Sequence, residues 1–278
     1  MRCLWCHNPE SIHPEPELLY RPRNCISCGH CVNVCKSGAH RMQDELHIFD
    51  PVKCTQCFAC ADVCFSGAMT KVGQDRSVDE VLLEVEQDME VYRRSGGGVT
   101  LSGGEAMLQS DSVREILIRC KAQGISTAVE TNLSVSWKTY EAILPYTDIL
   151  FFDIKHADDK KHRQWTGAGN AGIKENLRKV QESGVSFAVR TPVIPGFNDD
   201  EESIRTIAEL IFGSEHLLYY ELLTYNPLGN AKGILVHPPE ILSFPVPSRE
   251  QMQRLTNVAA EYPICVRLDG LKIGENDG

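Results

Sequence analysis

Fifteen residues of this chain occur almost twice. Cys25-Ile-Ser-Cys28-Gly-His-Cys31-Val-Asn-Val-Cys35-Lys-Ser-Gly-Ala39 is followed 29 positions later by Cys54-Thr-Gln-Cys57-Phe-Ala-Cys60-Ala-Asp-Val-Cys64-Phe-Ser-Gly-Ala68. Each copy reads C-x2-C-x2-C-x3-C. Eight sulfurs at matched spacing within forty residues restrict this segment to a fold built around what the sulfurs bind.

Three chemistries use such cysteines. Zinc takes C-x2-C pairs into tetrahedral thiolate sites. Disulfides staple small secreted scaffolds. The C-x2-C-x2-C-x3-C run is also the spacing of bacterial two-cluster ferredoxins, where each run gives three thiolates to one 4Fe–4S cluster and its fourth to the other. Two four-fold runs suit clusters better than zinc knuckles, and no apolar signal segment opens the chain. The crossed rule groups Cys25, Cys28 and Cys31 with Cys64, and Cys54, Cys57 and Cys60 with Cys35. The proline usual after the fourth cysteine is Lys36 in one copy and Phe65 in the other, which touches loop shape rather than ligation.

The chain has 278 residues, 42% of them apolar, and a formal net charge of −10. That length fits one large domain plus a small one. No run approaches the roughly eighteen apolar residues of a membrane span, and an acidic chain lacks the basic face of a nonspecific nucleic-acid binder. Twelve cysteines without a secretion signal point to a reducing cytoplasm.

From Ser77 onward the pattern alternates between helix and strand. Ser77 and Glu80 form a capping box, and Val78, Val81, Leu82, Val85 and Met89 share one helical face up to Gly96-Gly97-Gly98. Strands are expected at 99–102, 126–131, 148–155, 186–194, 217–226 and 264–268. Helices are expected at 109–122, 137–144, 169–183, 201–212 and 248–260. Such alternation predicts a parallel sheet with right-handed crossovers. About five βα units follow the cysteine segment, which fits a partial (β/α) barrel better than a closed one. The expected divisions are 1–15, a cysteine-bearing loop; 16–75, a ferredoxin-like insert; and 76–278, the partial barrel.

Cys3-Leu-Trp-Cys6-His7-Asn8-Pro9-Glu10 opens the chain. Alone, its C-x2-C could serve zinc, redox chemistry or nothing. With its neighbours it resembles the end of the C-x3-C-x2-C loop of radical S-adenosylmethionine (SAM) enzymes. More narrowly, it resembles glycyl-radical enzyme activating enzymes, the family of the pyruvate formate-lyase activating enzyme. The same resemblance runs through Ser95–Glu105 (SGGGVTLSGGE), Ala128–Thr131, Asp153-Ile154-Lys155, Arg190 before Pro192–Gly196, and Leu222–Asn226. The family's first cluster cysteine lies four residues before the second, which would fall two residues ahead of Met1. The expectation is therefore that this sequence is truncated at its N-terminus relative to the family.

The resemblance implies that Cys3 and Cys6 ligate the SAM cluster, one iron of which is left for the amino and carboxylate groups of SAM. One electron then breaks a C–S bond, and a 5′-deoxyadenosyl radical does the chemistry, so no side chain is itself catalytic. Gly103, Gly104 and Glu105 would hold the methionyl amino group. A phosphate loop is the rival, but it would need Lys-Ser/Thr after its last glycine. Asp153 and Lys155, two apart on one strand face, would meet the SAM carboxylate and ribose, with Ile154 between them in the motif; a structural ion pair is the rival. Arg190 would lie near SAM, a guanidinium suiting a carboxylate. Glu130 and Thr131 match a pair that in some members helps hold a cation. Asn226 would lie near the adenosine and Asn8 near the adenine, while Trp5 and His7 flank Cys6. Cys120 and Cys265 read as ordinary buried cysteines.

The fold and function implied are an α/β partial radical SAM barrel carrying an inserted two-cluster ferredoxin-like domain. The enzyme would cleave SAM reductively and take an α-hydrogen from a glycine of a partner glycyl-radical enzyme. It would be a cytoplasmic monomer served by a low-potential reductant such as flavodoxin or ferredoxin, with no nucleic acid or membrane partner. The alternatives are another radical SAM enzyme acting on a peptide or small molecule, and an electron-transfer iron–sulfur protein.

Overall fold

The computed structural model describes residues 1–227, 229, 232–236 and 240–272. The chain forms two compact units. One comprises Arg2–Asp75 with Pro227–Ser243; the other comprises Met1, Arg76–Asn226 and Phe244 onward.

In the small unit, strand β1 (Glu17–Tyr20) is followed by the β2–β3 hairpin (His40–Gln43, Leu46–Phe49) and by β4 (Met69–Val72), which pairs antiparallel with β1. Asp44 and Glu45 turn the hairpin, both at positive φ (49° and 63°), the conformation of a two-residue turn that matches strand twist. The sequence repeat is a backbone repeat. Ser27 and Gln56 both have positive φ, 53° and 54°, as do Gly29 and Phe58, 76° and 62°. Gly29 and Phe58 also stand at the N-caps of the short helices His30–Val34 and Ala59–Asp62. Phe58 holds in a left-handed conformation what Gly29 holds without strain, so the loop geometry is imposed by the fold. Leu18, Tyr20, Cys60, Ala68, Met69 and Val236 form the unit's core.

The large unit is a seven-stranded sheet. Its parallel part runs β5 (Gly98–Leu101), β6 (Ser126–Thr131), β7 (Ile149–Asp153), β8 (Ser186–Val193) and β9 (Leu217–Thr224). The two-residue strand β10 (Ile234–Leu235) belongs to the small unit and pairs with β1. β11 (Val266–Leu268) then adds parallel to β9, and β12 (Leu271–Lys272) closes antiparallel. The order β12-β11-β9-β8-β7-β6-β5 leaves β5 at one edge and β12 at the other among the described residues. This is the expected partial barrel.

Glycine is required where β5 meets β6. A Cβ at Gly98 would stand 1.9 Å from the Ser126 carbonyl oxygen. Helices cover the sheet through one apolar stripe each: Ser110–Ala122 buries Val113, Ile116, Leu117 and Cys120, and Glu201–Ile211 buries Ile204, Ile207, Ala208 and Ile211. Cys120 is fully buried and Cys265 is half-buried; both are free thiols.

Three helix expectations change. The capping box at Ser77 and Glu80 forms, but the helix breaks at Asp88 into Val78–Gln87 and Met89–Ser95. The 137–144 helix ends at Glu141, and Leu144–Tyr146 forms a separate 3-10 turn, as Pro145 cannot supply the next amide donor. Asp159–Thr166 is an additional helix, capped by Asp158 accepting from the Lys161 amide. Its sequence is almost wholly polar, so no apolar period announced it.

Candidate cluster and cofactor sites

In the large unit the candidate residues cluster at the C-terminal ends of the parallel strands, where barrel sites are built. Arg190 on β8 reaches across the sheet. Its Nη1 donates to Glu130 Oε1 of β6 at 2.9 Å, and its Nε lies 3.6 Å from Asp153 Oδ1 of β7. The Ser102 hydroxyl after β5 donates to Glu130 Oε2 at 2.5 Å. Lys155 Nζ donates to Asp153 Oδ2 at 2.8 Å, so the Asp153/Lys155 ion pair forms. Burial opposes the charge on Arg190, but Asp153, Glu130 and Glu221 outweigh it and raise its pKa. The Arg190 Nε is buried without a hydrogen-bond partner.

Glu105 acts differently. Its carboxylate accepts from the Met107 amide (3.1 Å), the Thr131 hydroxyl (2.7 Å) and the Asn132 amide (2.7 Å). It therefore ties the loop after β5 to the end of β6. Thr131 in turn meets the Tyr140 hydroxyl at 2.9 Å. Burial and the charge of Glu105 keep Tyr140 protonated far above its ordinary range. Before this anchor, Gly103 and Gly104 are exposed. Gly103 has φ +149°, and no atom lies within 4 Å of where its Cβ would stand. The backbone is thus bare toward open space, a cradle a ligand can approach closely.

Ile154 differs from its motif neighbours. It is buried, its amide donates to the Arg190 carbonyl at 3.0 Å, and its carbonyl accepts from the Thr191 hydroxyl at 2.7 Å. Asn226 is exposed just past β9. Sequence reasoning missed Glu221 and Arg267, which continue the charged row: Asp153 pairs in register with Arg190, Arg190 with Glu221, and Glu221 with Arg267. Their alternating sign on consecutive strands was the available signal.

In the small unit the Cys6 amide donates to the Cys3 carbonyl at 3.0 Å, turning the two sulfur-bearing residues together. Trp5 is buried, whereas His7 and Asn8 are exposed. Residues from 227–243 brace this loop. The Leu242 amide donates to the Leu4 carbonyl, and Lys232 Nζ bonds both Asn8 Oδ1 and Glu10 Oε1.

The eight repeat cysteines line two cavities. The first is walled by Cys25, Cys28, Cys31 and Cys64; the second by Cys35, Cys54, Cys57 and Cys60. Each takes three sulfurs from one repeat and the fourth from the other. The thiols repel one another as anions: burial and then the charge of Cys54 push Cys60 up to about 12, and burial and then Cys25 raise Cys31. The crossing pair is different. Burial raises Cys35 and Cys64, but hydroxyls at Ser37 and Ser66 (3.4 and 3.6 Å) and nearby amides outweigh it and lower both. Four soft sulfurs converging on one pocket, mutually repelling until a cation joins them, fit an iron–sulfur cluster.

Residues 51–207 match the radical SAM superfamily, and residues 24–68 match the 4Fe–4S dicluster domain. An isethionate sulfite-lyase activating enzyme of Oleidesulfovibrio alaskensis is 44% identical over 239 residues, covering 84% of this chain and 77% of that protein. A (2S)-3-sulfopropanediol sulfolyase activating enzyme of Bilophila wadsworthia is 42% identical over 237 residues, covering 84% and 78%. The chain belongs to the glycyl-radical enzyme activating enzymes. A solved domain of a pyruvate-formate lyase-activating enzyme from Bacteroides vulgatus superposes on this activating enzyme with a TM-score of 0.54 at 29% identity, covering 63% of this chain and 99% of that one. Its cofactors are 4Fe–4S clusters and SAM. No helix among the described residues is long and apolar enough to cross a membrane.

Proposed function

We propose that this activating enzyme abstracts an α-hydrogen from one glycine of a partner glycyl-radical enzyme, of the lyase and dehydratase kind that its relatives serve. The observation that carries this is the charged row of Glu130, Asp153, Lys155 and Arg190 at the strand ends, beside the bare Gly103-Gly104 backbone. When bound, the reduced cluster and SAM supply one-electron cleavage of a C–S bond and the hydrogen abstraction that follows.

The chain's own residues bind and orient. Cys3 and Cys6 would ligate the SAM cluster, with Trp5, His7 and Asn8 around it. Gly103 and Gly104 would offer backbone groups to the methionyl amine, while Glu105 fixes their loop from behind. Arg190 and Lys155 would receive the SAM carboxylate, and Asp153 a ribose hydroxyl. Asn226 would reach the nucleoside and Ile154 would pack behind it. Glu130 already spans Ser102 and Arg190, which favours an orienting role over cation binding; Thr131 is occupied by Glu105. The cysteines of the two cavities would hold the auxiliary clusters. An external one-electron donor such as flavodoxin or ferredoxin would reduce the enzyme, which would act in the cytoplasm as a monomer.

The test uses an anaerobically reconstituted form of the protein that carries all three cysteines of the SAM-cluster loop, with SAM, a strong one-electron reductant and a candidate partner glycyl-radical enzyme. Electron paramagnetic resonance should show a doublet that collapses to a singlet when the partner carries α-deuterated glycine, and deuterium should enter 5′-deoxyadenosine. SAM cleavage without deuterium transfer would instead support action on a peptide or small molecule.

A further inference from the structure

Strand β1 faces both cluster cavities, and it treats them differently. Leu18 lines the second cavity and Tyr20 the first. They are two apart, so they share a strand face, but only Tyr20 brings a polar group. The Tyr20 hydroxyl lies 3.1 Å from His47 Nδ1 and lines the first cavity beside Cys25, whose sulfur is 3.7 Å from that same nitrogen. His47 Nε2 lies 2.9 Å from Nδ1 of His40. Both imidazoles are buried, and His40 stacks on Phe49 with centroids 4.9 Å apart.

We propose that His40, His47 and Tyr20 form a directed hydrogen-bond chain that raises the reduction potential of the cluster held by Cys25, Cys28, Cys31 and Cys64 above that of its twin. This rests on the reading of those cysteines as cluster ligands. The direction follows from donor and acceptor inventory. A ligating thiolate only accepts, so the Tyr20 proton points at Cys25. The phenolic oxygen then accepts from His47 Nδ1–H. A buried imidazole is neutral, because an unpaired buried charge is costly, so His47 keeps Nε2 as acceptor for His40 Nδ1–H. Each bond polarises the next. All three donors therefore run toward one sulfur, and hydrogen bonds to cluster sulfurs stabilise the reduced, more negative state.

The rest of the shell is more evenly matched: the Met69 amide donates to Cys64 at 3.2 Å in the first cavity and the Gln56 amide to Cys54 at 3.4 Å in the second, which the His40 ring also lines. Ser37 and Ser66 occupy matched positions of the two repeats and approach Cys35 and Cys64 alike, at 3.4 and 3.6 Å. The chain from β1 breaks the symmetry. An electron entering this unit would rest on the first cluster in preference to the second.

The experiment is a redox titration of the fully reconstituted protein followed by electron paramagnetic resonance. Paramagnetically shifted cysteine β-proton resonances assign each couple to its cluster. In the wild type the first couple should lie above the second. Tyr20→Phe keeps the ring that packs edge-on against His47 and Phe49 and removes the hydroxyl. It should lower the first couple by roughly tenfold in the reduction equilibrium, about 59 mV for one electron, and leave the second in place. His40→Phe, which retains the stack on Phe49, should lower the first couple by less. An unmoved first couple in Tyr20→Phe overturns the proposal, as does movement of the second couple alone, which would mean the chain runs the other way. A shift in Tyr20→Phe with none in His40→Phe overturns the relay. Failure of the wild type to bind auxiliary iron would instead overturn the ligand reading.

Discussion

Arg190 and Glu130 lie sixty positions apart in sequence and on strands separated by β7, and they are bonded at 2.9 Å. With Asp153 at 3.6 Å on the intervening strand, one guanidinium joins two carboxylates. The assembly is mostly shielded: the Arg190 side chain is 22% exposed and the carboxylates 30%. Such a triad is poised rather than saturated, because a ligand carboxylate can replace one of the two acids on the same fork.

The first prediction separates binding from stability. Arg190→Ala leaves two carboxylates facing each other and should cost on the order of 3 kcal/mol, read by denaturant unfolding. Arg190→Lys restores a charge but not the fork. It should recover most of that stability while SAM affinity, measured by calorimetry, stays at least about tenfold down, the equivalent of roughly 1.4 kcal/mol. Full SAM affinity in Arg190→Lys would mean the arginine is structural.

Cys64→Ser tests the crossed cavities. Cys64 belongs to the second repeat but walls the first cavity. The variant should lose the signals of the cluster held by Cys25, Cys28 and Cys31, about four irons at most, and keep the other. Selective loss of the second cavity's cluster would contradict the pairing.

Two glycines should behave oppositely when changed to alanine. At Gly98 the new Cβ meets backbone oxygen at 1.9 Å, so β5 must shift from β6. At Gly103 there is open space and only an unfavourable φ of +149°. Gly103→Ala should cost about 1–3 kcal/mol and weaken SAM binding. Gly98→Ala should cost more and reduce yield of folded protein. Equal melting temperatures would refute the distinction.

The sheet was legible because each strand–helix unit carries its own periodicity and stop: Ser126–Thr131 is a strand with the expected bounds, and Gly184 ends its helix in a left-handed conformation. The cysteine repeat was legible because ligation demands fixed spacing. Other features depend on partners distant in sequence. Glu105 is read at the sequence level as a ligand contact, yet its oxygens are held by Thr131 and Asn132, 26 and 27 residues on. Tyr20 and His47 look like ordinary aromatic positions until 27 residues of chain bring them to 3.1 Å. The described residues between 227 and 243 lie between two barrel strands in sequence, yet belong to the small unit, where Leu235 pairs with Leu19 and Leu242 bonds Leu4. No local pattern encodes that.

The last prediction concerns acid. His156 and His162 of the large unit are 5% and 1% exposed. Burial, then repulsion from Lys161, lowers His156; burial lowers His162 despite its bond to the Ala168 carbonyl. Both are therefore neutral in the folded state near neutrality. The unfolded chain, with histidines near about 6.5, binds more protons once pH falls below that value. Stability rises with pH where the unfolded state holds more protons, so it must fall as pH drops from about 6.5 toward the depressed folded values. Hydrogen exchange of buried amides in β7 and β8 isolates this unit from acid loss of the clusters. Protection there should decline between about pH 6.5 and 5. In His162→Gln, which keeps a side-chain donor for the Ala168 carbonyl, the decline should be shallower. An identical slope in the variant would show that His162 titrates alike in both states.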